Sequence, residues 1–576
     1  MPMLTVNHLS IQFHTDSGIV KAVQDISFTL ARGETLGIVG ESGSGKSATA
    51  LALMGLLAKN AQVQGEILLN LDDQPVNLLE LQSHVWRRLR GDRLGMIFQE
   101  PMASLNPLFT CGQQIMEVII HHQPHVHAPA ELRRQARERA LQLCREVRLP
   151  DPEQILNRYP HQLSGGQIQR IMIASAIACN PDLLIADEPT TALDVTVQAT
   201  ILQLLKEIQR ERQMALIFIS HDLGVISQIA DRVLIMYRGE VVEQGLTKAI
   251  FAQPQHPYTK GLIACRPQPE LNLAILPTVQ DFMEEVNGEI VAKHPPDPVY
   301  RGSSMANRSE DEVPLLRVVN LTVDFPVQNA WGMTIERKVA VDNISFEVWA
   351  GETLGVVGES GCGKSSMAKA ILQLIPSRSQ GIWFEGTDIT KMKAQALQKV
   401  RRDLQIIFQD PFGSLNPRMT IAQIIGEPLV IHSHHIYKNK TDRLNRVHYL
   451  LARVGIDPRS SHRFPHEFSG GQRQRISIAR ALALNPKLII ADEAVSALDV
   501  SIQAQVLNLL KELQAEFALT YIFISHDLSV VKHMSDRVLV MNQGKIEEIN
   551  TSDQIYAQPQ SAYTKELLSA IPRLVV

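Results

Sequence analysis

The strongest constraint on this fold is that the sequence contains the same long pattern twice. GETLGIVGESGSGKS at 33–47 returns as GETLGVVGESGCGKS at 351–365, a shift of 351 − 33 = 318 positions. LSGGQIQR at 163–170 returns as FSGGQRQR at 468–475, a shift of 468 − 163 = 305 positions. Solenoid repeats are only about 20–50 residues long. A repeat of this length therefore predicts two whole copies of one domain.

The joint between the copies is predicted at 266–314, which leaves domains at 1–265 and 315–576 of the 576-residue chain. The joint contains seven prolines and the polar run GSSMANRSEDE, and its helical or strand periodicity is weak. Such a composition is typical of a linker, and we interpret the stretch as a linker plus the tail of the first copy. The pattern then restarts, because LTVNHLSIQF at 4–13 has its counterpart in LRVVNLTVDF at 316–325.

Composition favours an ordinary globular chain that does not bind nucleic acid. The formal net charge is −4, so no global positive field attracts nucleic acid or anionic lipid. The five cysteines form no CxxC pair, which suits a reducing cytoplasm better than a disulfide framework or a zinc ribbon. The N-terminus lacks the pattern of a signal peptide, and no apolar run approaches the ~18 residues of a membrane span, so we expect a soluble chain.

Each copy is predicted to be α/β. An apolar strand at 35–39 leads into a glycine-rich turn and then a helix at 46–57. LLIAD and ALIFI are short, continuously apolar strands of the kind that a parallel sheet buries on both faces. Hairpins are predicted to turn at 238–239 and 543–544. The stretch 112–148, rich in Ala, Leu, Glu and Arg, is predicted to form a helical subdomain inserted into the sheet domain.

A glycine-rich motif after the first of these strands predicts a phosphate-binding loop. GESGSGKS fits GxxxxGK[ST], follows a predicted strand and opens a predicted helix. In such a loop backbone N–H groups face the phosphates, the lysine reaches the β- and γ-phosphates, and the last serine ligates Mg²⁺. A single match also arises by chance in a glycine-rich turn, whereas two aligned matches in the same context favour the phosphate loop. The residues of the two loops are Gly40, Glu41, Ser42, Gly43, Ser44, Gly45, Lys46 and Ser47, and Gly358, Glu359, Ser360, Gly361, Cys362, Gly363, Lys364 and Ser365.

Two acidic pairs follow apolar strands. LLIADE ends in Asp187 and Glu188, and LIIADE ends in Asp492 and Glu493. By itself, an apolar strand that ends in Asp-Glu is usually a strand meeting solvent. In the same domain as a phosphate loop, the first acid is predicted to bind Mg²⁺, directly or through water, and the second to act as general base on the attacking water.

A third motif, SGGQ, precedes predicted helices at 167–179 and 472–484. A serine with two glycines at a helix start makes an anion-binding site, although a capped helix with a flexible start produces the same residues. The residues predicted to contact nucleotide are Ser164, Gly165, Gly166 and Gln167 and, in the second copy, Ser469, Gly470, Gly471 and Gln472.

Phosphate loop, glutamine, SGGQ, Asp-Glu, Asp and His occur in this order in both copies, and the set resembles the nucleotide-binding subunit of an ABC transporter with two fused domains. The resemblance covers essentially the whole chain except the linker. It implies an α/β fold of two P-loop ABC-type nucleotide-binding domains in tandem, each with a helical subdomain and an antiparallel β subdomain. It also implies that the domains pair head to tail, so that Lys46 faces Ser469–Gly471 and Lys364 faces Ser164–Gly166.

The resemblance assigns further roles by position. The aromatic that stacks on adenine corresponds to Phe13 or Phe325, with a plain core aromatic as the alternative. The glutamine that senses Mg²⁺ and water and faces the membrane partner corresponds to Gln99 or Gln409. The loop that joins the two sites and the switch histidine on the γ-phosphate supply Asp194, Asp499, His221 and His526.

Both motif sets are complete. The predicted metal ligands are Ser47, Gln99, Asp187, Ser365, Gln409 and Asp492, and the predicted catalytic residues are Glu188, Glu493, His221, His526, Gln99 and Gln409. ADEPTTALD in the first copy becomes ADEAVSALD in the second, with both acids retained. That change leaves open whether the two sites turn over at equal rates.

FQEPMASLNP, RYPHQLSGGQ and HPYT resemble the importer branch for dipeptides, oligopeptides, nickel and glutathione, whose ATPase subunits are usually two separate chains. The resemblance implies an ATP hydrolase that uses ATP and Mg²⁺ to energise import of glutathione or another small peptide. The implied partners are two integral-membrane permease subunits and a periplasmic solute-binding protein. The implied location is the cytoplasmic face of the cell inner membrane.

Other substrates and classes stay open from sequence alone. Within the branch, an oligopeptide- or microcin-type importer or a nickel importer is the alternative. A soluble tandem ABC protein acting on ribosomes or DNA typically has a charged helical linker or zinc modules, which the proline-rich joint and the acidic balance oppose. A sugar importer fits poorly because its fused ATPases commonly have one impaired half.

Two histidine groups and one cysteine also have alternative interpretations. His121, His122, His125 and His127 lie in the helical insertion, and His432, His434 and His435 occupy nearly the same place in the second copy. A metal site is one interpretation, and a solvated irregular loop is the favoured one. Cys362 is interpreted as a tolerated small side chain, with a reactive thiol at a helix N-terminus as the alternative.

Overall fold

A computed structural model describes residues 2–15, 18–122, 129–191, 193–286, 289–301, 312–328, 334–432, 437, 439–496, 498–572 and 574. The two copies of the sequence repeat form two α/β domains with the same strand order. The prediction of two tandem domains of the phosphate-loop type, each with a helical and an antiparallel β part, is confirmed in its architecture.

The first half and the joint supply the following elements. The strands are β1 (Leu4–Thr15), β2 (Gly18–Leu30), β3 (Thr35–Val39), β4 (Ala61–Leu71), β5 (Gln74–Asn77), β6 (Leu94–Ile97), β7 (Leu183–Asp187), β8 (Ala215–Ile219), β9 (Arg232–Tyr237), β10 (Glu240–Leu246), β11 (Met283–Val286) and β12 (Glu289–Ala292). The helices are α1 (Lys46–Leu53), α2 (Ser83–Leu89), α3 (Pro101–Ser104), α4 (Cys111–His122), α5 (Pro129–Glu146), α6 (Pro152–Leu156), α7 (Gly165–Ala176), α8 (Val195–Arg212), α9 (Leu223–Ile229), α10 (Thr247–Ala252), α11 (Pro257–Ala264) and α12 (Val279–Phe282).

The second half repeats this succession. The strands are β13 (Leu316–Gln328), β14 (Thr334–Val348), β15 (Thr353–Val357), β16 (Gly381–Phe384), β17 (Thr387–Asp388), β18 (Leu404–Ile407), β19 (Leu488–Asp492), β20 (Thr520–Ile524), β21 (Arg537–Asn542) and β22 (Lys545–Thr551). The helices are α13 (Lys364–Ile371), α14 (Ala394–Asp403), α15 (Pro411–Ser414), α16 (Ile421–His432), α17 (Lys440–Arg453), α18 (Gly470–Leu482), α19 (Val500–Phe517), α20 (Leu528–Met534), α21 (Ser552–Ala557) and α22 (Ala562–Ser569). Short 3₁₀ helices lie at Leu78–Glu80, Pro160–Gln162, Ile389–Lys391, Pro458–His462 and Pro465–Glu467.

The main sheet of each half is mostly parallel. Its order is β10-β9-β3-β8-β7-β6 in the first half and β22-β21-β15-β20-β19-β18 in the second, with the β9–β10 and β21–β22 pairs antiparallel. Every residue of β7 and β8 is buried, as the continuous apolar runs predict for parallel strands covered on both faces. Because β3, β8 and β7 are parallel neighbours, the loops that follow them meet at one edge of the sheet.

Each half adds two smaller layers. A four-stranded antiparallel sheet has the order β2-β1-β4-β5 in the first half and β14-β13-β16-β17 in the second. The insertion predicted at 112–148 forms α4 and α5, between β6 and α7. Within the described residues, no helix combines the length and the apolar character that crossing a bilayer demands.

The helix predicted at 46–57 is shorter in the structure. It ends at Leu53, with Met54 as its C-cap, and Gly55 has a φ of 60°. A glycine in the left-handed region just past the last turn ends a helix by turning the chain away from the helical path. The predicted hairpins do form, at the turns between β9 and β10 and between β21 and β22.

The described part of the joint, 266–286, 289–301 and 312–314, is more ordered than its composition predicts. It contains α12 and the β11–β12 hairpin, and Leu276 is only 2% exposed. The backbone N–H of Leu276 donates to Oδ1 of Asn508 at 2.9 Å, and Asn508 Nδ2 donates back to the Leu276 carbonyl at 2.8 Å. Lys511 Nζ donates to the Ala274 carbonyl at 3.0 Å. The joint is therefore docked on α19 through backbone groups, which side-chain periodicity does not reveal.

The hydrophobic core runs through both halves. One buried apolar cluster contains Phe218 of the first half, Leu276 of the joint and Phe523 of the second half. Two further clusters belong to one half each and contain the buried side chains of the antiparallel sheets. The two domains are thus joined by shared packing as well as by the chain.

We expect Asn508→Ala to loosen the joint from α19. The substitution removes both hydrogen bonds to Leu276, each worth about 1 kcal/mol net, so the undocked fraction rises about 10-fold or more. Limited proteolysis with mass spectrometry measures this as faster cleavage at 266–301. Glu512→Ala is the matched control because Glu512 lies exposed on the same helix. An unchanged cleavage rate in Asn508→Ala would mean that other contacts hold the joint.

Candidate functional site

The two predicted phosphate loops follow β3 and β15 and lead into α1 and α13. Gly45 has a φ of 101° and Gly363 a φ of 107°, both in the left-handed region. A Cβ on Gly45 would lie 2.5 Å from the carbonyl oxygen of Ala22, and one on Gly363 would lie 2.2 Å from that of Ala340. Glycine is required at both positions because any side chain would add both strain and a backbone clash.

The side chain of Lys46 is enclosed by its own loop, and the residue is 5% exposed. Its Nζ donates to the carbonyls of Gly40 and Glu41, at 2.7 Å each. Burial lowers the pKa of Lys46, and nearby acids, chiefly Asp499, oppose this. Lys364 repeats the arrangement, with its Nζ 2.6 and 2.9 Å from the corresponding carbonyls. These ammonium groups are thus held by backbone carbonyls that phosphate oxygens can replace.

The aspartates predicted to bind metal end β7 and β19, beside the serines of the phosphate loops. Asp187 is 5% exposed and hydrogen-bonds to Ser47, and Ser365 Oγ donates to Oδ1 of Asp492 at 3.0 Å. Burial raises the pKa of both aspartates. Oδ1 of Asp187 is buried and has no hydrogen-bond partner among the described residues. A buried carboxylate oxygen of this kind beside a serine hydroxyl fits a hard cation that prefers oxygen ligands.

Glu188 is the centre of a hydrogen-bonded network. Three side chains contact its Oε2: Thr191 Oγ1 at 2.9 Å, Gln99 Nε2 at 3.2 Å and His221 Nδ1 at 3.2 Å. In the described part of the chain no hydrogen bond reaches Oε1. One oxygen of the carboxylate is therefore fixed, and the other can accept a hydrogen bond from water.

Glu493 has corresponding neighbours at different distances. Gln409 Nε2 lies 2.7 Å from Glu493 Oε2, and His526 Nδ1 lies 3.5 Å from it. Ser496, which corresponds to Thr191, donates instead to the backbone carbonyl of Glu493 at 3.0 Å. The two glutamates are thus held differently, because the serine hydroxyl turns away from the carboxylate.

Glu188 and His221 form a charged pair. Burial opposes ionisation of Glu188, but its hydrogen bond with His221 and the histidine's charge outweigh burial and lower the pKa of Glu188 to about 2. Burial likewise opposes protonation of His221, and Glu188 outweighs it and raises the pKa of His221. The pKa values of Glu493 and His526 shift in the same directions. Glu188 is consequently ionised at neutral pH.

A cavity of about 380 Å³ brings the predicted groups of the first half together. Lys46, Gln99, Glu188 and His221 line it, and so does Asp499 of the second half. With Ser42, Gly43, Gly45 and Ser47 of the phosphate loop, the structure places eight predicted site residues of the first half beside Asp499 of the second.

Further contacts join each phosphate loop to the opposite half. They pair Asp194 with the N–H of Ser360, Thr196 with Glu359, and Ser501 with Glu41. Thr196 Oγ1 donates to Glu359 Oε1 at 2.6 Å. In both directions the partner is the segment that follows the Asp-Glu pair, so the two halves touch at equivalent places.

Two predicted groups lie elsewhere. Ser164 and Ser469 are exposed N-caps of α7 and α18, each accepting from a glutamine N–H at 3.4 and 3.3 Å. Phe13 lies in β1 of the antiparallel sheet and is half-buried, and Phe325 is 42% exposed. Neither Ser469 nor Phe13 is among the described residues that line the cavity.

Sequence reasoning missed two tyrosines behind the phosphate loops. The Tyr258 hydroxyl accepts from the N–H of Glu41, and the Tyr563 hydroxyl accepts from that of Glu359, both at 3.2 Å. The signal was present, because Tyr-Thr recurs at 258 and 563, a shift of 563 − 258 = 305. Thr191 was also missed, since the motif highlights the acids beside it.

The described members of the histidine groups form no metal site, and the surroundings of Cys362 do not favour a reactive thiol. No group of three potential metal ligands occurs in the described residues. The rings of His121 and His122 meet edge to face, 5.0 Å apart, whereas His125, His127, His434 and His435 lie outside the described residues. Burial raises the pKa of the Cys362 thiol, which opposes the reactive alternative.

Two family patterns match this chain, and each matches it twice. The sequence pattern of the ABC transporter family matches residues 23–191 and 341–496. That of the oligopeptide/dipeptide transporter C-terminal region matches residues 242–287 and 548–576. The chain belongs to the ABC transporter family, and its C-terminal regions confirm the predicted peptide-importer branch.

Two relatives and one solved structure that are similar to this chain are the following. The glutathione import ATP-binding protein GsiA of Pectobacterium atrosepticum is 49% identical over 575 residues, which is 99% of this chain and 89% of that protein. GsiA of Escherichia coli K12 is 49% identical over 577 residues, with the same coverage. Among solved structures, a dimeric ATP-binding cassette in a post-hydrolysis state, bound to ADP and Pi, is 28% identical and covers 41% of this chain and 98% of its own, with a TM-score of 0.37.

The opposite pKa shifts of Glu188 and Glu41 predict opposite effects of acid on stability. The pKa of Glu188 is lowered from 4.5 to about 2, so its contribution is present above pH 4.5 and is lost as the pH falls toward 2. Burial raises the pKa of Glu41, so its ionised form costs stability, and acid removes that cost.

Thermal unfolding of wild type, Glu188→Gln and Glu41→Gln between about pH 6 and about pH 3 measures these contributions. We expect the advantage of wild type over Glu188→Gln to shrink in acid. The difference between wild type and Glu41→Gln should move the opposite way. If both stability differences changed in the same direction as the pH fell, the result would contradict a charged pair of Glu188 and His221.

Proposed function

We propose that this chain is the ATP-hydrolysing subunit of an importer, and that it energises entry of glutathione or another small peptide through a separate permease. The observation that carries the ATPase function is the ionised Glu188, which has one oxygen fixed and one open in the same cavity as Lys46. The peptide-branch C-terminal regions and the GsiA relatives support the substrate class.

The loop at 40–47 is the proposed phosphate site. Its glycines keep side chains off the backbone, and Ser44 Oγ is buried without a partner among the described residues. On ATP binding, Lys46 exchanges its two backbone carbonyls for phosphate oxygens, which form stronger, charge-assisted hydrogen bonds. The loop at 358–365 takes the second ATP in the same way.

Mg²⁺ is the proposed metal. The residues that would hold it are Ser47, Asp187 and Gln99 in the first half and Ser365, Asp492 and Gln409 in the second. These residues would place the ion where it would supply positive charge to the β- and γ-phosphate oxygens. The partnerless Oδ1 of Asp187 supports this assignment.

Hydrolysis is proposed to use Glu188 as the base. Its open Oε1 takes a proton from water as the water oxygen bonds to the γ-phosphorus and the bond to the ADP oxygen breaks. His221 and Gln99 fix Oε2, so the carboxylate does not have to reorient when the water arrives. Glu493, His526 and Gln409 play the same parts in the second half.

Head-to-tail pairing of the halves is part of the proposal. The contacts of Asp194, Thr196 and Ser501 with the opposite phosphate loops support it. Ser469 and Ser164 begin helices whose N-termini can meet the γ-phosphate of the opposite site when the halves close. The proposed complex adds two permease subunits and a periplasmic binding protein, with this chain on the cytoplasmic face of the inner membrane.

Uptake by the assembled transporter tests the function and its substrate. The chain is expressed with the permease and binding-protein genes that neighbour its own, and uptake of labelled glutathione, a labelled tripeptide and Ni²⁺ is compared. We expect glutathione or the tripeptide to enter only with ATP and not with Lys46→Ala. Uptake of Ni²⁺ alone would assign the nickel alternative, and uptake of none would refute the importer proposal.

We expect Glu188→Gln combined with Glu493→Gln to slow hydrolysis by roughly 10²–10⁴-fold while ATP still binds, because a positioned general base contributes about that much. Phosphate release measures hydrolysis, and filter binding measures retained ATP. The control is Glu211→Gln combined with Glu512→Gln, two exposed helix glutamates. Near-normal turnover in the double site variant would remove both glutamates from the mechanism.

Head-to-tail pairing predicts that each SGGQ motif serves the site of the other half. Ser469→Arg should impair the site of Lys46, and Ser164→Arg that of Lys364, because a bulky cation blocks the approach to the opposite phosphate. Vanadate trapping of a photoreactive ATP analogue, followed by cleavage in the joint, shows which half is labelled. The two variants control for each other. Loss of label from the substituted half itself would show that each half works alone.

A further inference from the structure

Arg266 follows α11 and joins the two halves. Its side chain is 12% exposed, its guanidinium lies 3.7 Å from Oδ1 of Asp222, and Nη2 donates to the carbonyl of Pro572. Asp222 directly follows His221 and caps α9 by accepting from the N–H of Gly224 at 2.8 Å. Arg266 therefore connects the segment that carries His221 with the C-terminal part of the second half.

Gly224 makes the room for this arginine. A Cβ on Gly224 would lie 2.1 Å from Nη1 of Arg266 and 2.5 Å from its Cζ. The guanidinium thus lies against the bare backbone of the first turn of α9. Glycine inside a helix is destabilising by roughly 0.5–1 kcal/mol relative to alanine, and the space for Arg266 is a physical reason for it here.

The second half has a different pair at these two places. The shift of 305 that relates His221 to His526 relates Gly224 to Ser529 and Arg266 to Ile571. Where the first half has a small residue and a cation, the second has a hydroxyl side chain and an apolar one. Asp527, which corresponds to Asp222, forms no ion pair with Lys or Arg in the described residues.

The segment that follows His526 in the second half is held by a different hydrogen bond. The hydroxyl of Tyr556 donates to the carbonyl of Leu528, two residues after His526. The residue that corresponds to Tyr556 is Phe251, since 251 + 305 = 556, and phenylalanine cannot make this bond. The segment after His526 is thus fixed within its own half, whereas the segment after His221 is fixed across the interface.

We infer that Arg266, seated by Gly224, is a positioning residue that makes the first ATP site respond to the second half. This inference rests on the proposed function and adds an asymmetry to it. His221, His526, Arg266 and Pro572 line one narrow cleft between the halves. When the halves shift, the bond to Pro572 pulls on the Asp222 cap and hence on His221, which holds the Oε2 of Glu188. Tyr556 shields the second site from the same movement.

The test measures the two sites separately. Arg266→Ala removes the tie, and Gly224→Ser displaces the guanidinium with the residue that the second half itself carries. Vanadate trapping of a photoreactive ATP analogue, followed by cleavage in the joint, gives the label in each half. We expect the ratio of first-half to second-half label to fall by about 10-fold in both variants, the size of a typical coupling between sites. The KM for ATP should stay within about twofold, because the phosphate loops are untouched.

Matched controls come from the second half. Ile571→Ala and Ser529→Gly change the corresponding positions, and we expect them to leave the label ratio within about twofold. Arg266→Lys keeps a cation near Asp222 and should retain more first-half label than Arg266→Ala. The inference is overturned if Arg266→Lys retains no more first-half label than Arg266→Ala. It is also overturned if Arg266→Ala loses label equally from both halves, or if Ile571→Ala changes the label ratio as much as Arg266→Ala does.

The outcome for wild type separates this inference from the proposed function. If wild type traps nucleotide in neither half, the ATPase proposal fails. If wild type traps nucleotide in both halves and the ratio is unchanged in Arg266→Ala and Gly224→Ser, only the positioning role fails.

Discussion

The structure depends on burying opposite charges together at one edge of a parallel sheet. Lys46 and Asp187 are each 5% exposed. A buried charge costs folding free energy unless it is paired or hydrogen-bonded. The order β3-β8-β7 solves this by ending three neighbouring strands at the phosphate loop, at His221 and at the Asp-Glu pair. The apolar strands make the sheet, and the sheet in turn makes these charges neighbours.

Much of this arrangement is visible in the sequence, and the reason is local chemistry. A five-residue apolar run, a glycine turn and a capped helix each leave short-range patterns, so the strand at 35–39 and the hairpin turn at 238–239 were predicted where they occur. The end of α1 was misplaced because apolar residues continue past Gly55. The docking of Leu276 on Asn508 leaves no pattern, since backbone groups make half of that contact. Tyr258 did leave a pattern, the recurring Tyr-Thr, but its partner is an N–H more than two hundred positions away, so the sequence does not show what it contacts.

The two sites are close copies that differ in the residues around the acids. Glu188 has three side chains on one oxygen, whereas Glu493 loses the hydroxyl because Ser496 bonds to the backbone. The glutamate, the glutamine and the histidine are the same in both sites, and the hydrogen bonds that hold the glutamate differ. Rates in paired catalytic sites respond to small differences in positioning. Retention of the same acids, glutamine and histidine therefore does not imply identical turnover.

The shared core and the docked joint also have a consequence for assembly. Two separately encoded ATPase subunits can each pair with a copy of themselves, and their interfaces have to be selected against that outcome. In this chain every first half is covalently supplied with one second half, at an effective concentration that outside copies do not reach. Stoichiometry is then set by translation. Residues at the contact surface are free to diverge into complementary pairs, because neither surface has to recognise itself.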